Sequence, residues 1–381
     1  MGRKQLLYKA NRDRIDEFYT LYEDIASEIT FYKNQLKGKR ILCPCDWDES
    51  YNEEIVYKEE KFIGSSNLFD AGGTIKKINI KASKTKIEKD LSLIKCNFVK
   101  YLIVHADAYA IASISASGYN PYTGKGVRFQ DIDYSKYDTV ITNPPFSQFR
   151  EFIDTLFANK MDFVVIGPQT AITYRESFKY ILNNKMWLGY HHHLTGVIMP
   201  DGTILKKNDN LPRSCCWFTN LDVSYRHDKL ILTEKYDSIK YPKYYNYNGI
   251  EVNKTKNIPY DYKGHMGVPV TFLQKFNPAQ FKIIAKGVQA NKTIRFNGDK
   301  ATLWIEKNGK PFKAPFERII IKNKMGLMFP KPWGYSMENT TGPKEKALKT
   351  QVVSTEIIKK SRLSGPTKIG DVLLVLCKRK T

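Results

Sequence analysis

The chain has 381 residues, 42% of them hydrophobic, and a net charge of +22. It holds no run of about 18 apolar residues, and its basic start "MGRKQLLYKANRDR" has no apolar stretch behind it, which excludes a membrane-spanning helix and predicts a cytoplasmic protein. The charge is lopsided: residues 222–381 carry 31 Lys and Arg against 13 Asp and Glu, residues 1–221 carry 30 against 26. That excess points to a polyanion partner, nucleic acid ahead of an anionic membrane surface.

Residues 1–15 read as a basic arm. From Asp16 to Leu36 apolar side chains fall at Phe18, Tyr22, Ile25, Ile29, Tyr32 and Leu36, a helical spacing with Gly38 just beyond. Arg40 to Cys45 reads as a short buried strand that ends at Asp46. Residues 47–95 are charge-rich, and the alternation in "KKINIKA" predicts an inserted hairpin. A helix follows at "CNFVKYL", then a strand of small residues at "AIASISAS", a loop at "GYNPYTGKG", and a strand at "DTVI". Beyond it come a helix at "SQFREFIDTLFA", a strand at "DFVVIG", a helix at "RESFKYILN", and strands at "MWLGY" and "CCWFTNLDV".

Strands alternating with helices of about ten residues predict an α/β fold with a doubly wound, mostly parallel sheet. The alternation stops near Asp222. Residues 236–262 then hold seven tyrosines among lysines and asparagines, "HMGVPVTFLQKFNPAQF" reads as loop, and 325–381 is Lys-rich. Of the six cysteines, the pairs Cys43–Cys45 and Cys215–Cys216 lack the separation of zinc hooks, so no metal is expected.

The stretch "DTVITNPPFSQF" carries the chemistry. A buried strand runs into Asn143, Pro144, Pro145 and Phe146, which cannot extend a central strand. In open α/β sheets ligands bind beyond the carboxyl ends of the strands. An exocyclic amine such as adenine N6 is a poor nucleophile because its lone pair is delocalised into the ring. Two acceptors on its hydrogens localise that pair, and the Asn143 side-chain oxygen and the Pro144 carbonyl can be those acceptors. Consecutive prolines stiffen them in place, and Phe146 offers a face for a base.

"TNPPF" after such a strand resembles motif IV of the amino-methyltransferases that use S-adenosylmethionine, and "DEFYT" (Asp16 to Thr20) resembles their motif X. With "CPCD", "WFTNLDV", "YPKY", "VNKTK", "MGVPVTFLQKFNP" and "RIIIKNK" in this order, the chain resembles the EcoRI-type adenine-specific DNA methyltransferase family over roughly residues 15–324. The resemblance implies a Rossmann-like methyltransferase fold, with Asn143, Pro144, Pro145 and Phe146 as the adenine site. It implies S-adenosylmethionine as cofactor, with Phe18, Tyr19 and Thr20 lining its pocket beside Asn143. Cys45 and Asp46 stand where the first strand meets the cofactor, and Asp131 or Asp133 where its adenine is held. The glycine-rich turn of most methyltransferases is missing from "CPCDWDES", as it is from this family.

The expected organisation is an arm at 1–15, a catalytic domain at 16–221 with the 47–95 insertion, a smaller basic target-recognition region at 222–324, and an extension at 325–381. The partner implied is duplex DNA, with the target base flipped out of the stack and no membrane involved. A monomer fits, though the oligomeric state is left open. An RNA amine or a protein glutamine amide is the alternative substrate of the same site.

Overall fold

The computed structural model describes residues 18–46, 55–61, 74–89, 94–120, 125–199, 202–206, 215–244, 247–286, 304–307, 310–313 and 318–324. The expected arm at 1–15 and extension at 325–381 lie outside them.

In chain order the first half holds β1 (Tyr19–Thr20), α1 (Tyr22–Ile29), β2 (Arg40–Cys43), β3 (Val56–Lys61), β4 (Thr74–Ile78), α2 (Ile80–Lys89), α3 (Asn97–His105), β5 (Ser113–Ala116), β6 (Tyr119–Asn120), β7 (Lys125–Gly126), β8 (Thr139–Thr142) and α4 (Phe149–Ala158). Then follow β9 (Asp162–Pro168), α5 (Arg175–Leu182), β10 (Trp187–Leu188), β11 (Gly196–Ile198), β12 (Ile204–Lys206), β13 (Cys215–Thr219), β14 (Ile250–Glu251), β15 (Met266–Pro269), β16 (Phe281–Lys286), β17 (Trp304–Lys307), β18 (Lys310–Lys313) and β19 (Arg318–Asn323).

The largest sheet has eight strands in the order β10-β13-β9-β8-β2-β5-β4-β3. Its four central strands, β9, β8, β2 and β5, are mutually parallel. The expectation of a mostly parallel sheet holds for these four central strands but not for the edge pairings: β13 and β4 run against them, and the outermost β10 and β3, each antiparallel to its neighbour, run with them again. Central strands read as continuous apolar runs because both faces are covered. Leu42, Val140, Phe163 and Val165 point into one apolar cluster with Phe149, Phe152 and Ile153 of α4 and Phe178 of α5. Their neighbours Ile41, Ile141, Val164 and Ile166 point into the other, with Ile25 and Ile29 of α1 and Phe98, Val99 and Leu102 of α3.

The insertion supplies the edge hairpin β3–β4, and also the helix α2, which alternation alone did not reveal. The segment from 16 to 36 is the clearest departure. Its helix covers only Tyr22–Ile29, continued by a single 3-10 turn at Thr30–Tyr32. Phe18 to Thr20 is extended instead, because β1 pairs antiparallel with β11, Tyr19 opposite Ile198 and Thr20 opposite Val197. The apolar spacing also hid two buried carboxylates on the inner side of α1. Asp24 accepts from the Thr195 and Gly196 backbone N–H groups, and Glu28 accepts from those of Tyr190 and His191.

Residues 222–324 are more regular than their tyrosines and prolines suggested. β14-β15-β19-β16 form a four-stranded sheet whose Met266, Val268, Phe281, Ile283, Ile319 and Ile321 join the same apolar cluster as α4 and β9. Inside it, the buried Glu251 is paired with Arg318 and with the Tyr244 hydroxyl.

Candidate active site

In the central sheet the chain goes from β2 to β5 on one side, then returns to β8 and β9 on the other. The strand order therefore reverses between β2 and β8, and a crevice opens at the carboxyl ends of such a pair. The two segments that leave those ends are Pro44–Cys45–Asp46 and Asn143–Pro144–Pro145–Phe146. They are linked directly, since the Thr142 hydroxyl donates to Asp46 Oδ2 at 2.6 Å.

Asp46 is buried, and the Cys96 thiol donates to its other oxygen at 3.2 Å. Burial pushes its carboxyl up to about 7, with the two hydrogen bonds opposing only part of the shift. The same burial, together with the Asp46 charge, raises the Cys45 thiol, so Cys45 is a neutral, half-buried contact rather than a nucleophile.

Asn143 is half-buried, and its Nδ2 donates to the Phe18 carbonyl at 3.0 Å. A carbonyl only accepts, so this bond fixes which end of the amide is which. Oδ1 is left as a buried acceptor without a hydrogen-bond partner. Buried polar atoms without partners are few in folded proteins, and each one asks for an explanation. The neighbouring turn points the same way. Gln148 N–H donates to the Pro145 carbonyl and Phe149 N–H to that of Phe146, while among the described residues none donates to the Pro144 carbonyl.

Phe146 is 4% exposed and meets Phe18 edge to face, ring centres 5.2 Å apart. Its expected role as a stacking face therefore requires the ring to be uncovered when a base arrives. Of the remaining expected residues, Thr20 is buried with an unpartnered Oγ1, and Tyr19 is 48% exposed. Thus Phe18, Thr20 and Asn143 form one connected group, and Cys45 and Asp46 join it through Thr142.

Asp131 and Asp133 lie apart from this group in the hydrogen-bond network. Asp131 is exposed on a 3-10 turn, and Asp133 caps the next turn by accepting from the Ser135 N–H and hydroxyl. The Ser135 hydroxyl holds the Asp133 carboxyl below its ordinary value. Residues that pattern reading did not find are Asn97, whose Nδ2 donates to the Thr20 carbonyl at 2.8 Å, and Thr142 and Cys96, which hold Asp46. Nothing in their local sequence marks them; only the meeting of distant segments does.

The family described as adenine-specific methyltransferase EcoRI matches residues 6–324. The chain is 36% identical to the Type II methyltransferase M.EcoRI of Escherichia coli, covering 84% of this chain and 97% of that one. It is 28% identical to the Type II methyltransferase M.MpnI of Mycoplasma pneumoniae, covering 84% and 98%. With the Type II methyltransferase M.MgeORF184P of Mycoplasma genitalium it shares 29%, covering 83% and 98%. No solved structure matches.

Proposed function

The chain belongs to the EcoRI family of adenine-specific methyltransferases, and from that premise we propose that Asn143 to Phe146 methylate adenine N6 at a specific site in duplex DNA. Its relatives are named Type II methyltransferases, so the enzyme serves restriction–modification, marking DNA at its own recognition sequence. The observation that carries the chemistry is the buried, unpartnered Asn143 Oδ1 beside the unclaimed Pro144 carbonyl.

Two acceptors on the two hydrogens of N6 draw its lone pair out of the ring and aim it, while their rigid backbone spares any reorganisation during transfer. As the new N–C bond forms, the nitrogen becomes positive, and both acceptors stabilise that charge more than they stabilise the neutral amine. The proton then leaves N6 for solvent. A stacked base cannot reach a strand end inside a sheet crevice, so the adenine is flipped out at a cost of roughly a few kcal/mol. Asn143 and Pro144 take the place of its lost pairing partner, and an uncovered Phe146 offsets part of the lost stacking.

The residues present suit S-adenosylmethionine, which supplies an electrophilic methyl group and leaves as the neutral thioether. The carboxyl of Asp46 suits a cationic ligand, and the Thr20 hydroxyl is a buried polar group still lacking a partner. Phe18, Tyr19, Thr20 and Cys45 would line that pocket, and Asp131 or Asp133 would hold the cofactor's adenine. The fold in this reading is the Rossmann-like one of methyltransferases, with 222–324 as the region that reads the DNA.

The test is product identity. With labelled S-adenosylmethionine, duplex DNA should take up label, and digestion to nucleosides should return it as N6-methyldeoxyadenosine. Label in RNA or in a protein glutamine, with none in DNA, would replace this reading.

A further inference from the structure

We propose that Asn97, at the start of α3, is a positioning residue for methyl transfer: through the Thr20 carbonyl it holds β1 where the Phe18 carbonyl fixes the Asn143 amide. The inference rests on the reading of Asn143 given above and extends it to a residue that touches neither base nor cofactor.

An asparagine amide has two nearly isosteric ends, and only one of them helps. With Oδ1 toward the reacting amine it accepts; turned by a half rotation it would present N–H groups to N–H groups. The Phe18 carbonyl decides between the two, since it accepts from Nδ2 at 3.0 Å and would face a second acceptor after rotation. In a buried place an unmade hydrogen bond is costly, so the orientation that keeps Nδ2 on the Phe18 carbonyl is favoured over the rotated one.

That selection works only if the Phe18 carbonyl is itself held still. β1 is two residues long and sits at the edge of the three-stranded sheet β1-β11-β12, so its ladder alone is a weak anchor. Asn97 supplies the second attachment. It is buried, its Nδ2 donates to the Thr20 carbonyl at 2.8 Å, and its neighbours Phe98 and Val99 pack in the cluster that also holds Ile141 of β8. The result is a closed circuit, from Asn97 to Thr20, along the backbone to Phe18, across to Asn143, and back through β8 to the packed core. The edge contact between Phe18 and Phe146 gives the circuit a second crossing.

The test uses the full-length chain and Asn97→Leu, which keeps the volume but cannot donate, with Asn97→Ala beside it in case either fails to fold. The readout is the single-turnover transfer rate at saturating S-adenosylmethionine and DNA, with each affinity measured separately. The rate should fall by about tenfold or more, as expected for a small misplacement of a catalytic group, while DNA affinity stays the same. Asn143→Asp supplies the internal control, because a carboxylate has two equivalent oxygens, so the Phe18 carbonyl no longer selects between two different ends. In that background Asn97→Leu should change the rate by no more than about twofold. If Asn143→Asp is too slow to time, the split between saturated rate and DNA affinity decides. An unchanged saturated rate in Asn97→Leu, or an equal loss in both backgrounds, would overturn the proposal. A wild-type enzyme that transfers no methyl group to DNA would instead sink the reading of the site.

Discussion

At the scale of single residues, the site is built from polar groups that folding leaves unsatisfied or uncomfortable, and Asp46 is the one whose discomfort can be titrated. Burial holds its carboxyl at about 7, whereas in the unfolded chain it ionises in the ordinary range near 4. Between about pH 4 and 7 the unfolded chain has lost a proton that the folded protein keeps. Stability contributed by this group therefore falls as pH rises through that window and levels off above it. Asp46→Asn removes the titration, so its melting temperature measured against wild type should improve from about pH 4 to about pH 7 and then level off. Its affinity for S-adenosylmethionine should be lower at pH 8, where wild-type Asp46 is ionised. A melting difference that stays constant over this range would show that Asp46 is not held up by burial.

The same scale shows what was legible in advance. Asn143 to Phe146 could be read from sequence because strand, prolines and acceptor are contiguous, and Asp46 because it follows a strand closely, although β2 stops at Cys43 rather than at Cys45. Asn97, Thr142 and Cys96 could not, since their roles exist only across separations of 77, 96 and 50 residues to Thr20, Asp46 and Asp46.

At the scale of elements, the central strands were readable wherever both faces are buried, because β2, β8, β9 and β13 are then runs of consecutive buried, mostly apolar residues. Their direction was not. β13 reads much like β9, yet it pairs antiparallel with it, Cys215 opposite Pro168 and Thr219 opposite Val164. Hydrophobicity reports burial and is blind to strand polarity. The segment from Asp16 to Leu36 failed for a related reason. Its spacing of apolar residues is helical throughout, but Phe18 to Thr20 meets β11 and Asn143, and these contacts claim the backbone before a helix can. A tertiary partner overrides local propensity most easily at an element's end. That local failure falls on the functional segment, where such conflicts between levels are expected.

At the scale of the whole molecule, the basic excess and the apolar cores have to be considered together. The four-stranded sheet of 250–323 shares its apolar cluster with the central sheet, so recognition in the 222–324 region is best tested by charge rather than by cutting the chain. Lys235, Lys254, Lys256, Lys263 and Lys275 in this region are exposed. If they meet phosphates, log affinity for DNA falls linearly with log salt at about −0.9 per phosphate neutralised. Replacing Lys254, Lys256 and Lys263 by Gln should make that slope shallower by about 0.9 for each phosphate no longer neutralised, measured by titration at several salt concentrations. An unchanged slope would place the phosphate-binding lysines elsewhere on the chain.

The central claim is that the buried oxygen of Asn143 does the chemistry, and one measurement addresses it most directly: single-turnover methyl transfer to duplex DNA by Asn143→Ala, with DNA affinity measured on the same preparation. Loss of one preorganised acceptor should slow transfer by about a hundredfold or more while leaving DNA affinity essentially as in wild type. A variant that binds DNA and still transfers at the wild-type rate would contradict the account.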